Sequence, residues 1–183
     1  MHKKVVIGAM ALCLTASGTG AALAAKGGPP PSHAAITAVQ KVQFKVNRYV
    51  KDSLRWQKDV YQVKSGGTIT ITNKANDGPH TFSVVNKKDL PRTTKQINNC
   101  KICQTIAQEH GADQNSDAPP THLFVEDGTG QDTAPSVDKP GDSAFIGPGP
   151  GDNVKLTVTA KKGATLYFLC AIHPWMQAKV QVK

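Results

Sequence analysis

Residues 167–176 read Tyr167-Phe168-Leu169-Cys170-Ala171-Ile172-His173-Pro174-Trp175-Met176. The stretch offers a thiol, an imidazole and a thioether at the spacing Cys-x2-His-x2-Met. Such a set suits a soft or borderline metal, copper above all, once a second imidazole joins it. The flanks alternate as strands do. Leu166, Phe168 and Cys170 share one face before the loop, and Met176, Ala178, Val180 and Val182 share one face after it. Two adjoining strands so patterned aim Cys170 and Met176 inward and leave His173 on the turn.

The missing imidazole has a candidate upstream. In Pro79-His80-Thr81-Phe82-Ser83-Val84-Val85, His80 shares its face with Phe82 and Val84. A histidine there is either a hydrogen-bonded core or rim residue or a ligand. The terminal loop turns the reading toward ligand.

The same alternation recurs along the chain. Val42, Phe44 and Val46 alternate with polar residues from Lys41 onward. Between 48 and 58 the pattern is polar, with Leu54 and Trp56 as core contributors. Ser65-Gly66-Gly67 turns the chain into Thr68-Ile69-Thr70-Ile71-Thr72, with isoleucines inward and threonines outward. Alternation resumes at Asn153–Thr159, and Lys161-Lys162-Gly163 turns into the strand before the copper loop. Short strands, Gly-bearing turns and one convincing helix argue for an all-β sandwich.

Residues 86–142 interrupt that rhythm, and so long a polar stretch between strands marks an insertion. A helix is expected from a Thr93 or Thr94 cap through Ile97, Ile102 and Ile106 to a stop at Gly111, placing Cys100, Cys103, Ala107 and His110 on one face. Residues 112–148 then read as loop, with Leu123-Phe124-Val125 as a short strand. Cys100-x2-Cys103 admits three readings: a local disulfide, a second metal or redox site with His110, or buried thiols. Haem attachment is excluded, because Gln104 stands where a histidine is required.

The amino terminus reads as a secretory signal over residues 1–24. His2, Lys3 and Lys4 precede an apolar run, and Ala22-Leu23-Ala24 offers an A-x-A cleavage site; a retained membrane anchor is the alternative. Residues 25–40, with Gly27-Gly28-Pro29-Pro30-Pro31, read as a flexible tether, leaving 41–183 as the domain. Export places the protein in the periplasm or outside the cell. Without the leader, Met176 is the sole methionine and Cys100, Cys103 and Cys170 the remaining cysteines. An odd thiol in an oxidising compartment calls for an explanation such as metal ligation.

The formal charge of +9 falls to +7 without the leader lysines. It is basic over 26–101 and 153–183 and acidic over 102–152. Nucleic acid is disfavoured as a partner, since no basic-aromatic recognition motif is present. A solvated basic surface, or one that steers an acidic redox partner, accounts for the charge.

The segments YQVKSGGTITITN (61–73), DGPHTFSVV (77–85) and YFLCAIHPWMQAKVQV (167–182) resemble the small blue copper proteins, the cupredoxins. The terminal loop is most similar to that of the amicyanin and plastocyanin group. The likeness spans residues 59–85 and 153–183 and leaves the insertion without a counterpart. It implies a Greek-key cupredoxin-like sandwich binding one type 1 copper, with His80, Cys170 and His173 in the copper plane and Met176 as a weak axial ligand. It also implies that electrons enter or leave at the edge of His173, beside Pro174 and Trp175. Thr81 stands where the family often has Asn, which puts the hydrogen bonding around the site in question.

The expected function is therefore exported single-electron transfer between redox partners, without an enzymatic activity. A copper-binding carrier or chaperone of the same compartment is the alternative. A multicopper oxidase centre is disfavoured because the chain has no His-x-His pair.

Overall fold

In the computed structural model, residues 28–113, 116, 118–126, 129–131 and 135–183 are described. The signal-peptide reading of residues 1–24 lies outside them. The strands are β1 (His33–Val39), β2 (Val42–Lys45), β3 (Tyr49–Asp52), β4 (Arg55–Trp56), β5 (Val60–Val63), β6 (Thr68–Asn73), β7 (His80–Val85), β8 (Phe124–Glu126), β9 (Thr129–Gln131), β10 (Ser136–Val137), β11 (Ser143–Ile146), β12 (Asn153–Val158), β13 (Thr165–Leu169) and β14 (Gln177–Val182). The helices are α1 (Thr94–Asn98) and α2 (Lys101–Glu109).

The all-β sandwich forms as expected. A five-stranded sheet runs β10-β12-β6-β1-β4 and a seven-stranded sheet β5-β14-β13-β7-β11-β8-β9. Their inward residues merge into one apolar core, with Ile36, Ile69, Ile71 and Leu156 from the first sheet and Phe82, Phe168 and Val180 from the second. The period of two explains this directly: β6 and β12 bury every other residue, as does β14. Phe82 and Phe168 lie 4.2 Å apart between ring centroids on neighbouring strands.

The tether expected over residues 25–40 is corrected over its second half. Residues 33–39 are β1, paired in parallel with β6 from His33↔Thr68 to Ala38↔Asn73, and they bury Ala34, Ile36 and Ala38. A flexible segment cannot hold six consecutive ladder partners. The strand was hidden by its small inward residues, which carry little hydrophobic signal. The loop expected over 112–148 is corrected likewise. The short strand expected at Leu123-Phe124-Val125 is present as β8, but β9–β11 were not expected, and β11 pairs with β7 from Ser143↔Ser83 to Ile146↔His80.

The strand pattern from Lys41 has an unexpected destination. β2 and β3 form a separate hairpin with Phe44 opposite Val50, and both are about three-quarters exposed. Its apolar residues lie outside the core.

The expected helix is split. The Thr93 hydroxyl accepts from Gln96 N and caps α1, and the chain breaks at Asn99 before Cys100 caps α2. α2 ends at His110 with Gly111 at φ +64°, a left-handed stop that glycine tolerates. Cys103 and Ile106 of α2 sit against Val85 and Leu169, covering the outer face of the larger sheet. For that reason β7 is buried on both faces, unlike the half-buried strands around it.

No helix among the described residues is long and apolar enough to cross a membrane.

Candidate metal centre

Two neighbouring strands bring the donors to one end of the larger sheet. β7 pairs antiparallel with β13 in the register Leu169↔Ser83, so the start of β7 and the end of β13 lie side by side. His80 opens β7 and Cys170 follows β13. The turn before His80 is held by the buried Asn73 amide. It donates to the Gly78 and Gly147 carbonyls while its oxygen accepts from Ala75 N.

The loop after Cys170 is closed by backbone bonds. Cys170 N donates to Met176 O at 3.0 Å, and Met176 N donates to His173 O at 2.8 Å. These bonds fold His173 back over Cys170. Trp56 holds the far side, its indole Nε1 donating to Met176 O at 3.1 Å. The Trp175 indole donates to Leu54 O.

Three donor atoms converge as a result. His80 Nδ1 and His173 Nδ1 are 3.2 Å apart, and Cys170 Sγ lies 3.8 Å and 3.6 Å from them. All three residues are buried. Edges of this size suit donors that share one ion, since metal bonds to imidazole and thiolate are about 2.0–2.3 Å. His80 Nε2 is buried without a hydrogen-bond partner. The ring is thus committed to the site through Nδ1 rather than serving as a satisfied core histidine.

The electrostatics favour neutral imidazoles, the form that ligates. Burial, helped by the charge of His173, pushes His80 down to about 4. His173 is lowered by burial, against the opposing pull of Asp77 and Asp52. Its Nε2 lies 3.7 Å from a carboxylate oxygen of the half-exposed Asp77. Burial raises the Cys170 thiol, while bonds from the backbone at Thr81, His173 and Ile172 and from the Thr81 side chain pull it back. A cation at the site supplies the charge that a buried thiolate otherwise lacks.

Met176 is fully buried beside this cluster in sequence and is tied by its backbone to both Cys170 and His173. Trp175 is half exposed and its ring meets His173 edge-on at 5.4 Å. Ile172 is also exposed. An apolar rim therefore borders the slightly exposed His173.

Cys100 and Cys103 form a disulfide. The second metal site with His110 does not assemble, because His110 bonds instead to His122 O and Ser143 Oγ. Cys170 is the free cysteine among the described residues. Sequence reasoning missed Trp56 and Asn73 as supports of the site. It missed Ser83 and Ser143 too; their sole signal was alternation that put polar residues where α2 later covers them.

No protein-family model matches the chain, and no curated protein matches it. Solved structures give loose likenesses. A reduced auracyanin from Roseiflexus castenholzii is 16% identical with a TM-score of 0.43, covering 85% of this chain and 99% of its own. Auracyanin A from Chloroflexus aurantiacus, described as a blue copper protein, is 16% identical at 0.44, covering 84% and 99%. A purple cupredoxin from Nitrosopumilus maritimus is 15% identical at 0.38, covering 82% and 99%. At such scores the likeness is one of general chain course, and the donor atoms carry the chemistry.

Proposed function

We propose that the chain is a mononuclear type 1 copper protein that carries single electrons between redox partners. His80, Cys170 and His173 hold the metal and Met176 is the weak fourth ligand. The observation that carries this reading is the convergence of two Nδ1 atoms and one Sγ within 3.8 Å in a buried pocket. Bound copper supplies a one-electron couple between Cu(II) and Cu(I).

The protein's part is to hold the donors still and dry. The Asn73 bonds set His80, the loop bonds set His173, and Trp56 clamps the carbonyl of Met176. Donors fixed by second contacts in this way need little rearrangement when the ion changes charge, which keeps electron transfer fast. Four protein ligands leave no position for a substrate, which favours a carrier over an enzyme. The edge of His173, beside Pro174, Trp175 and Ile172, is where electrons leave or arrive. The basic body favours acidic redox partners.

A protein that hands on the ion itself would offer accessible donors, whereas His80 and Cys170 are fully buried and His173 nearly so. The leader-like sequence and the Cys100–Cys103 disulfide support an exported protein, periplasmic or extracellular. The test is an optical and electron-spin resonance spectrum of copper-loaded protein with metal counting. One copper with an intense visible thiolate band, lost in Cys170→Ser, is expected. A colourless protein with one bound copper would sink the reading, and rapid transfer of copper to a chelator without reversible one-electron cycling would favour the copper carrier.

A further inference from the structure

A buried chain of side chains runs from the inserted helix to the thiolate loop, and the function proposed above does not use its far end. His110, at the end of α2, is buried beneath the larger sheet. Its Nδ1 lies 2.6 Å from His122 O and its Nε2 lies 2.8 Å from Ser143 Oγ. Ser143 Oγ is 2.7 Å from Ser83 Oγ. Ser83 donates to Thr81 Oγ1 at 2.9 Å, and Ala171 N donates to the same oxygen at 2.7 Å. Cys170 Sγ accepts from Thr81 N at 3.3 Å, and the Thr81 side chain is among the groups that pull the buried thiol back down.

The proton count along this chain is informative. A carbonyl only accepts, so His110 Nδ1 carries a proton. Thr81 Oγ1 accepts twice, which directs its own proton to the sulfur. Ser83 spends its proton on Thr81, so Ser143 must donate to Ser83, and only a protonated His110 Nε2 can then donate to Ser143. Every bond is satisfied when His110 holds two protons. In the neutral ring, Nε2 instead takes the Ser143 proton, Ser83 turns to Ser143, and Thr81 loses one donor. A hydroxyl that accepts a bond donates more strongly, so the last link weakens.

We propose that His110 is a positioning residue for the metal-binding thiolate. Through Ser143, Ser83 and Thr81, its proton state sets how strongly the Thr81 hydroxyl donates to Cys170. This inference rests on the copper reading above. Burial holds His110 below its ordinary range, against the bond to His122 O and with the charge of His122. The other titratable groups on the surrounding elements are Glu109 on its helix, Asp113 beyond it and Asp142 before Ser143. Asp142 is engaged by the backbone of Asp138 and Lys139.

The test is the thiolate-to-Cu(II) band of the full-length copper-loaded protein between pH 4 and 8, a state in which the ligand imidazoles are held by the metal. Stronger donation to sulfur lowers its donor orbitals and moves the band to higher energy. In the wild type the band should move to higher energy as the pH falls below 6.5. In Ser143→Ala, Ser83 donates to Thr81 at every pH, and the band should stay near the wild-type acid position. His110→Gln, which cannot titrate, should also give a band independent of pH. A wild-type band that does not move, or one that moves equally in Ser143→Ala, overturns the relay and leaves the copper reading intact. A wild type with no thiolate band overturns both. Thermal unfolding of each variant, read alongside, separates a cut relay from a failed fold.

Discussion

The indole of Trp56 donates to the carbonyl oxygen of Met176 at 3.1 Å, a bond between residues 120 positions apart and fully inside the protein. The same ring meets His80 at 6.0 Å and Phe168 at 5.7 Å between centroids. Trp56 thus touches one proposed ligand and clamps the backbone of another. Trp56→Phe keeps an aromatic ring but strands the carbonyl. A loss of about 1–2 kcal/mol in urea unfolding of the metal-free protein is expected, together with faster release of copper. An unchanged midpoint would show that the bond contributes nothing.

Metal-free protein should lose stability as the pH falls. His80 is held near 4 when folded and has the ordinary value of 6.5 when unfolded. Above 6.5 both states are neutral and nothing is lost. Below it the unfolded chain takes up the proton first, so folding weakens progressively down to about 4. From this residue alone the loss reaches about 3 kcal/mol, and the lowered values of His173 and His110 act in the same direction. Denaturant midpoints measured across this range check the sign, and saturation with copper should flatten the curve by holding the neutral ligands.

Two phenylalanines should behave oppositely. Phe82 is fully buried against Phe168, so Phe82→Ala should cost about 3–5 kcal/mol. Phe44 on the hairpin is 73% exposed, so Phe44→Ala should stay within about 0.5 kcal/mol. Chemical denaturation of both variants would decide the matter. A large loss at Phe44 would mean that the hairpin folds onto the body.

Reducing the Cys100–Cys103 disulfide should cost about 2 kcal/mol, the chain-entropy value for so short a closed loop. The visible copper band should survive, because these sulfurs belong to the apolar contact of α2 with Val85 and Leu169 and not to the donor cluster. Denaturation and spectra with and without dithiothreitol test both halves.

Much of this was legible in the sequence, for identifiable reasons. Alternation over Thr68–Thr72 and Asn153–Val158 exposed two strands because their inward residues are large and their outward ones polar. The terminal motif exposed three donors because loop spacing is local. His80 could be picked out only with that motif in hand. What stayed hidden depended on contacts far along the chain. β1 buries alanines, and the hairpin shows apolar residues to water, so composition pointed the wrong way for both. The split between α1 and α2 follows from the Thr93 and Cys100 caps, which compete within one continuous apolar pattern. Ser83 and Ser143 meet only because β11 pairs with β7.

The side-by-side placement of His80 and Cys170 also has a kinetic consequence. Ninety residues separate them in sequence, and their alignment requires β7 and β13 to be zipped in register. Closing so long a span is slow compared with forming a turn or a helix. Although Cys170 and His173 are close neighbours in the chain, the full donor triangle exists only after β7 and β13 have paired. The complete donor set is therefore a property of the paired strands and not of the terminal loop alone.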